Sequence, residues 1–436
     1  MRTKQLLISV IFGLASTSAF ALAPIKHWKT SQDGEVYFVR SPGLPMLDIR
    51  LVFDAGSARD GKHHGIASLT ASLLETGAGQ WNADQIAQRF DAVGAQYNYA
   101  SNRDTSWIGL RSLTQADLLN QALDTFQKII SQPQFTLTEF QRIKEQRLIG
   151  LKQQQEKPGS IARKAFYQSI YGEHPYAHLV VGDIETINEI QLSDIKQFHQ
   201  QYYVANNAVL AIVGDLTEQQ AQKISETLFA QLQQGHKAKP LPQVDLPKKA
   251  KKVHIDFPST QTHVLAGLPV LSRKDIDYFP LYVGNHILGG SGLVSLLFNE
   301  IREKRGLAYS AYSYFTPLEQ PGPFTMGLQT QNKQSDTAIE LMQATLVEFI
   351  NKGPTQEQLI AAQKNLTGGF VLRFDNNRKL LNYVAMIAFY QLPLDYLDSF
   401  PGRASEVTAD EIKSVFQRRV KTDLLQIISV GGSNSE

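Results

Sequence analysis

The feature that most constrains the fold of this chain is a long internal repeat. The segment 192–215, LSDIKQFHQQYYVANNAVLAIVGD, has a counterpart in 409–432, ADEIKSVFQRRVKTDLLQIISVGG. Ile195 aligns with Ile412 at an offset of 217 residues, and the same offset aligns the glycines near the two ends, so no gap is needed. A second segment, TEFQRIKEQRL, is similarly repeated as TQEQLIAAQKNL. Repeats this long indicate a duplicated domain rather than a solenoid unit.

A linker is predicted between the two copies. Residues 235–252, GHKAKPLPQVDLPKKAKK, contain three prolines and six lysines and have no apolar periodicity. Prolines favour an extended chain, and like charges favour its solvation, so we interpret the lysines as part of a solvated linker rather than as an anion-binding patch. The predicted first domain is then 22–234 and the predicted second domain 253–436.

The beginning of the chain is typical of a secretory signal peptide. Arg2 and Lys4 form a positive start, residues 6–14 are a short apolar run, and small residues up to Ala21 offer a cleavage site. The alternative interpretation is a buried N-terminal helix. We predict a signal peptide over 1–21, cleavage after Ala21 and export to the periplasm.

Composition argues against several classes of function. The net charge is only +2 and no basic stripe is present, which argues against nucleic-acid binding. No later run approaches the roughly 20 apolar residues of a membrane span. Because the chain has no cysteine, it can form no disulfide and offers no thiolate to a metal.

The hydrophobic pattern predicts both strands and helices. Strands are predicted at 36–40, 47–54, 96–101, 105–111 and 209–213, and helices at 66–74, 83–93, 115–131 and 136–156. Strands in pairs followed by helices in runs are typical of an α+β protein. We therefore predict two duplicated domains, each a largely antiparallel sheet with helices packed on one face.

Three segments resemble the insulinase/pitrilysin family of inverted zinc metallopeptidases. Residues 53–79, FDAGSARDGKHHGIASLTASLLETGAG, are similar to the strand, turn and helix of the family's zinc segment, and 94–110, GAQYNYASNRDTSWIGL, to the strand pair that follows. Residues 285–313, NHILGGSGLVSLLFNEIREKRGLAYSAYS, are close to its second-domain signature. The resemblance covers nearly all of the mature chain and implies a mitochondrial processing peptidase-like metallohydrolase fold.

The zinc motif of that family is degenerate in this chain. The family motif is His-x-x-Glu-His on a helix, where residues four apart share one face, so that two imidazoles hold the ion and the glutamate acts as general base. Alignment through the flanking residues places Ser68 and Ser72 at the histidine positions and Ala71 at the glutamate position. Serine is a poor zinc ligand, and alanine cannot be a base.

The third zinc ligand is missing as well. The resemblance implies a glutamate on the later long helix, a few residues before a proline. Counting back from Pro158 puts Gly150, or Ile149 beside it, at that position. All four positions therefore lack the family's residue, and we expect no metal in this chain.

Other residues could in principle hold a relocated metal. His63 and His64 precede the zinc-motif helix and Glu75 follows it, but side chains of adjacent residues on a turn diverge. His174 and His178 are four apart, but the proline between them breaks helical geometry. We interpret these histidines as structural.

The second signature of the family is intact. Arg302 and Tyr309, in REKRGLAY, match a pair that in the family contacts the substrate backbone near the scissile bond. Both side chains can donate hydrogen bonds to a carbonyl or developing oxyanion. Without the surrounding match, they would be read as a surface arginine and a core tyrosine. GGSG, at 289–292, lacks the Gly-Lys-Ser/Thr of a phosphate loop and is interpreted as a flexible helix entrance.

The combination of a lost metal motif and a retained substrate pair implies a function. In bacterial members of this family, the zinc motif and the Arg/Tyr pair can lie on different chains. The resemblance thus implies a non-catalytic, substrate-binding subunit that completes the chamber of a paralogous zinc-binding partner and binds extended peptides. The zinc would be in the partner. The alternative is a metal-free peptide-binding or assembly protein without a peptidase partner.

Overall fold

The computed structural model describes residues 23–432, so the predicted signal peptide and its cleavage site lie outside the described residues. The strands of the first half are β1 (Lys26–Lys29), β2 (Glu35–Arg40), β3 (Met46–Phe53), β4 (Gly77–Ala78), β5 (Trp81–Asn82), β6 (Gln96–Ser101), β7 (Ser106–Leu113) and β8 (Ala208–Gly214). Its helices are α1 (Ile66–Leu73), α2 (Ala83–Asp91), α3 (Ala116–Ser131), α4 (Leu137–Gln155), α5 (Pro158–Tyr171), α6 (Ile184–Glu189), α7 (Leu192–Tyr202) and α8 (Glu218–Ala230). The predicted elements of this half are all present, with ends shifted by at most two residues.

The second half repeats this order of elements. Its strands are β9 (Lys251–Asp256), β10 (Gln261–Leu271), β11 (Ala308–Phe315), β12 (Gly322–Gln331) and β13 (Gln426–Gly431). Its helices are α9 (Tyr278–Asn285), α10 (Leu296–Phe298), α11 (Ser335–Lys352), α12 (Gln356–Gly368), α13 (Asn377–Tyr390), α14 (Tyr396–Glu406) and α15 (Ala409–Arg419). The repeated sequence segments fall on α7–β8 and α15–β13, and on α4 and α12, as a duplication requires.

The two main sheets have the same topology. The first has the order β1-β2-β8-β3-β7-β6, and the second has the order β11-β12-β10-β13-β9. All neighbours are antiparallel except β2 with β8 and β13 with β9, which occupy equivalent places. Apart from β1, each strand of one sheet has a counterpart in the other. The predicted α+β architecture of two duplicated domains is confirmed.

Each half covers the sheet of the other half with one helix. On β2, Val36 and Phe38 pack with the first half's own helices, while the alternate residues Tyr37 and Val39 join the core of the second half. Successive residues of a strand point to opposite faces, so the second face also needs a cover. For the first sheet α13 supplies it by packing on β2, β3 and β8, and for the second sheet α5 supplies it by packing on β10 and β13. The prediction accounted for helices on one face and not for this exchange.

The predicted linker is partly packed against the protein. Residues 235–250 contain no helix or strand. Leu241 is nevertheless buried, Arg59 Nη1 donates to Lys239 O at 2.5 Å, and His174 Nε2 lies 3.0 Å from Pro242 O. Full solvation was therefore the wrong expectation, because the apolar residues between the lysines pack beside α5. Among residues 23–432, no helix is both long and apolar enough to cross a membrane.

Candidate functional site

One buried carboxylate fixes the helix that carries three of the zinc-motif positions. α1 begins after Gly65, whose φ of 97° lies in the left-handed region that glycine adopts readily. Asp60 accepts hydrogen bonds from the backbone N–H groups of Gly65 at 2.6 Å and Ala67 at 3.0 Å. Its Oδ2 also lies 3.0 Å from His178 Nε2. A carboxylate at a helix N-terminus satisfies free N–H groups and is favoured by the helix dipole, so α1 is firmly anchored.

The motif positions on α1 face the interior. Ser68, Ala71 and Ser72 are all buried, as are the apolar residues of the helix. The Ser72 hydroxyl donates to the backbone oxygen of Ser68 at 2.9 Å, so it is used inside the helix. This helix therefore has the packing of a scaffold element.

A cation from α4 lies beside the motif. Arg147 Nη2 is 3.5 Å from Ser72 Oγ, and burial lowers the pKa of Arg147. Gly150 follows one turn later on the same helix, and a Cβ added there would meet nothing within 4 Å. Hydroxyls, a methyl group and a bare Cα are not zinc ligands, and a guanidinium opposes a dication. These residues do not fit zinc.

Arg147 was missed from the sequence. The signal was its spacing: a residue three before Gly150 shares its helical face, so whatever stands there points toward the same site. Beside it, Tyr99 on β6 interacts with both Ser72 and Glu75. Burial, reinforced by the Glu75 carboxylate, raises the pKa of Tyr99, and burial raises the pKa of Glu75. The place of the metal motif is thus occupied by an arginine, a tyrosine and a glutamate.

Three of the four histidines considered as replacement ligands have other partners, whereas the buried Nδ1 of His63 has no hydrogen-bond partner within residues 23–432. His64 and His178 stack with ring centroids 4.0 Å apart, and His64 Nδ1 lies 3.4 Å from Asp183 Oδ2. Glu75 is at the opposite end of α1, and His174 faces the 235–250 segment. Within residues 23–432, no group of three or more His, Asp or Glu side chains is arranged to hold a metal ion.

The structure brings Arg302 and Tyr309 together. Arg302 lies in an irregular helical turn, Asn299–Glu303, and Tyr309 lies at a register shift near the start of β11. Arg302 Nη1 donates to Tyr309 O at 3.1 Å, and the guanidinium carbon is 4.7 Å from the centre of the tyrosine ring. Tyr309 is 80% exposed, so its hydroxyl is open to a ligand.

The glycines before this pair have a packing role. A Cβ at Gly289 would lie 2.4 Å from Ser313 N, so only glycine lets this turn approach β11 closely. The expectation of a flexible helix entrance at 289–292 missed this reason. The close approach places the helical turns that lead to Arg302 directly against the strand that carries Tyr309.

Both candidate regions lie at sheet edges. β6 is the edge strand of the first sheet and packs beside α1, and β11 is the edge strand of the second sheet. A cavity of about 910 Å³ lies between β11 and α5, and Tyr312 and Tyr314 of β11 stack in its wall at 5.9 Å. No hydrogen bond or ring contact within residues 23–432 joins Arg302 or Tyr309 to the motif positions on α1. In the described part of the chain, therefore, the two parts of the family's site make no direct contact with each other.

Comparison with known proteins identifies the family. Residues 36–183 match insulinase (peptidase family M16), and residues 189–366 match the peptidase M16 inactive domain. The crystal structure of a peptidase M16 inactive domain from Pseudomonas fluorescens is 36% identical, with a TM-score of 0.91 over 94% of this chain and 98% of that chain.

Two curated relatives come from one strain of Helicobacter pylori (ATCC 700392 / 26695). The non-peptidase homolog YmxG is 27% identical over 437 residues, covering 99% of this chain and 98% of the relative. The zinc protease PqqE is 26% identical over 303 residues, covering 67% of each. With the matching halves, the shared topology and the second-domain signature, these similarities establish that the chain belongs to the insulinase family, as a member whose zinc-motif positions carry no ligand residues.

Proposed function

We propose that this chain is the non-catalytic, substrate-binding subunit of a heteromeric zinc endopeptidase in the periplasm. The single observation that carries the proposal is the contrast between the two candidate regions. The motif positions on α1 are buried and filled by residues that do not fit zinc, whereas Arg302 and Tyr309 are held together with an exposed phenol. An exposed pair of donors without a metal in reach is half of a hydrolytic site, and a partner would supply the other half.

The partner would be a paralogue that carries His-x-x-Glu-His and its zinc. Coexistence of a non-peptidase homolog and a zinc protease in one strain of Helicobacter pylori supports such a division between two chains. In the proposed arrangement, the second half of this chain faces the first half of the partner. Arg302 and Tyr309 then donate to the carbonyl of the peptide bond that the partner hydrolyses.

The substrate would bind as an added strand. β11 offers an unpaired edge next to Tyr309, and an extended peptide can continue the sheet there through backbone hydrogen bonds. Side chains on alternate residues of the peptide would enter the neighbouring cavity, whose wall contains Tyr312 and Tyr314. Backbone pairing of this kind is compatible with many peptide sequences.

The test is reconstitution from separate chains. We expect the purified mature chain to contain no stoichiometric zinc and to leave peptides intact, and the zinc-binding paralogue from the same host to become active when this chain is added. Gel filtration with metal analysis should place one zinc per heterodimer in the paralogue. Tight equimolar zinc in the isolated chain, or a paralogue whose activity does not respond to it, would contradict the proposal.

A second candidate function is peptide binding without a peptidase partner. The 910 Å³ cavity favours it, because its volume lies within the range of ligand pockets. All of the residues that line the cavity belong to this chain. A neighbouring gene for a paralogue with His-x-x-Glu-His supports the subunit, and its absence supports the binding protein. Co-purification from the native host distinguishes the two directly.

A further inference from the structure

A smaller cavity lies where the two halves meet. Its volume is about 350 Å³, which is enough for a small molecule. The first half contributes β3, the turn between β6 and β7, and α5, while the second half contributes α13 and two loops. Its wall contains three arginines, Arg50, Arg103 and Arg273, from three separate parts of the chain.

The three arginines stack on aromatic rings and lack carboxylate partners. The guanidinium carbons lie 3.9 Å from the ring centre of Trp107 for Arg50, 3.6 Å from Tyr167 for Arg103 and 5.3 Å from Tyr390 for Arg273. Within residues 23–432, none of the three forms an ion pair. Stacking holds the guanidinium planes in place and leaves N–H groups of Arg50 and Arg273 available to a ligand. Arg103 donates from Nε to Tyr176 O and from Nη2 to His178 O, both at 3.2 Å, so Nη1 is the group that it can offer to a ligand.

Two of the guanidinium groups have buried nitrogens without a protein partner. Nε of Arg50 and Nε of Arg273 are both buried and donate to no hydrogen-bond acceptor within the described part of the chain. Within residues 23–432 the Arg50 side chain makes no hydrogen bond; burial lowers its pKa to about 10, and the charge of Asp48 opposes part of this shift. The only hydrogen bond of the Arg273 side chain within the same residues runs from Nη2 to Pro317 O, at 3.2 Å. A buried cation without compensation is costly, and proteins usually supply a counter-ion or a ligand.

The one carboxylate in the wall is already engaged. Asp104 accepts hydrogen bonds from the hydroxyls of Tyr176 and Tyr390, the latter at 2.7 Å, and from the backbone N–H of Glu319 at 2.8 Å. These contacts join the first half to α13 and to the β11–β12 loop. Asp104 therefore ties the two halves together and neutralises none of the three arginines by direct contact.

The neighbouring 910 Å³ cavity increases the positive charge. The two cavities share Arg103 and Tyr167, and the larger one is also lined by Lys157 and Arg163. Its lining contains no carboxylate. Clustered charges of one sign between low-dielectric walls concentrate ligands of the opposite sign.

We propose that the cavity between the halves binds the oxyanion of a small ligand, a phosphate or carboxylate group, held by Arg50, Arg103 and Arg273. The arginines supply charge-assisted hydrogen bonds to its oxygens. The remaining wall is mixed: Asn102, Thr105 and Asn382 are polar, whereas Val52, Met386 and Phe389 form an apolar part that suits a short hydrocarbon portion. The site needs neither zinc nor a partner chain, so it stands independently of the proposed peptidase role.

The test uses the full mature chain and three salts at equal ionic strength: sodium phosphate, sodium succinate and sodium chloride. Trp107 lies in the cavity wall, so Trp28→Phe/Trp81→Phe leaves one tryptophan that reports on the site. We expect saturable quenching or enhancement of its fluorescence by phosphate or succinate and none by chloride. At about 100 times Kd the same anion should raise Tm by roughly 3 °C. A response to phosphate alone identifies a phosphate site, and a response to succinate alone identifies a carboxylate site.

The variant Arg50→Gln separates a ligand site from a structural role. We expect it to weaken anion binding at least tenfold, because charge-assisted hydrogen bonds are lost, while the Tm without anion stays equal or rises because a buried charge without a directly paired counter-ion is gone. The matched control is Arg89→Gln: Arg89 also stacks on a tryptophan, Trp81, at 3.9 Å, but pairs with Asp124 outside the cavity. This control should bind anions like the wild type.

Three results would overturn the proposal: equal responses to all three salts, an unchanged affinity in Arg50→Gln, or a marked fall of its Tm without anion. If Arg50→Gln does not fold, Arg273→Gln replaces it, with the same expected loss of affinity. Saturation only at several hundred millimolar phosphate would also argue against a specific, preformed anion site.

Discussion

The two halves of this molecule share one topology but have kept different parts of the family's site. In the first half, α1 and β6 are both present. The motif positions on α1 are buried, but they carry Ser68, Ala71 and Ser72, which are not metal-ligating residues. In the second half, the turn before β11 still presents Arg302 and Tyr309 together. The fold survives equally well in both, which illustrates that function resides in a few side chains placed on a fold and not in the fold itself.

The reason lies in how the first-half helix is held. α1 is fixed by its apolar residues and by the Asp60 carboxylate at its N-terminus, and none of these contacts involves a metal. Loss of the ligands therefore removed chemistry without removing support. The pair in the second half is different: Tyr309 is exposed and contributes little packing, so its side chain has no structural reason to be a tyrosine.

The largest effect should come from breaking the exchange of helices between the halves. Phe166 of α5 is fully buried against the second sheet, and Phe166→Ala should lower the free energy of unfolding by about 3–5 kcal/mol. Both halves should lose stability in one transition, because each sheet needs the other half's helix. Denaturant unfolding followed by circular dichroism measures this. Ile149→Ala, at a position 58% exposed on α4, is the control and should change little. Two separate transitions would show that the halves fold independently.

The second prediction concerns the retained pair. If Arg302 and Tyr309 act at the reacting carbonyl, Arg302→Ala or Tyr309→Phe should reduce kcat of the reconstituted complex by about a hundredfold to a thousandfold. Complex formation and partner zinc should be unchanged, as gel filtration and metal analysis would verify. A loss confined to KM would make the pair ground-state binders.

A control for this pair lies in the same segment. Arg305→Ala removes a neighbouring cation that pairs with Glu300 at 2.7 Å and should leave kcat within about twofold. Full activity in the double variant Arg302→Ala/Tyr309→Phe would leave this chain as a scaffold only.

The third prediction asks whether the first half can be restored. Ser68→His/Ala71→Glu/Ser72→His should still bind no stoichiometric zinc, because Gly150 supplies no third ligand and Arg147 remains beside the site. It should also cost about 2–3 kcal/mol of stability, since a carboxylate enters a buried position. Metal analysis and denaturant unfolding test both statements.

Restoration should succeed only when the cation is removed as well. Adding Gly150→Glu and Arg147→Leu to the triple variant supplies the third ligand and removes the charge, and the space at Gly150 allows a side chain. We expect zinc binding to appear at this stage. Stoichiometric zinc in the triple variant alone would refute the role given to Arg147.

The sequence predicted local features well and tertiary ones poorly. The alternation on β6 and the apolar periodicity of α1 predicted both elements, because these patterns are set by neighbouring residues. The exchange of α5 and α13 depends on which faces remain uncovered after each half has folded, and no local pattern carries that information. The arginine cavity is a similar case, since Arg50, Arg103 and Arg273 are far apart in sequence and meet only in the assembled molecule.

The smallest expected effect is a pH-dependent loss of stability that arises in the first half and not at the equivalent position of the second half. His199 of α7 aligns with Phe416 of α15 in the internal repeat, at the offset of 217 residues. Burial lowers the pKa of His199 to about 4, beside the rings of Phe135 and Tyr203. The unfolded chain binds this proton near pH 6.5 and the folded chain only near pH 4, so the stabilising effect of the neutral ring is complete above pH 6.5 and is lost as pH falls toward 4.

His199→Phe copies the second half into the first and should remove this loss. We expect the free energy of unfolding of the wild type to fall by about 2 kcal/mol more than that of His199→Phe between pH 6.5 and pH 4, less than the full pKa shift implies because the ring keeps partial contact with solvent. Denaturant unfolding at closely spaced pH values measures the difference between the two curves, and the other titrating groups cancel in that difference. The control His236→Phe removes an exposed histidine, and its curve should run parallel to the wild type. If His199→Phe also runs parallel, the ring is protonated in the folded protein, and acid sensitivity does not distinguish the two halves.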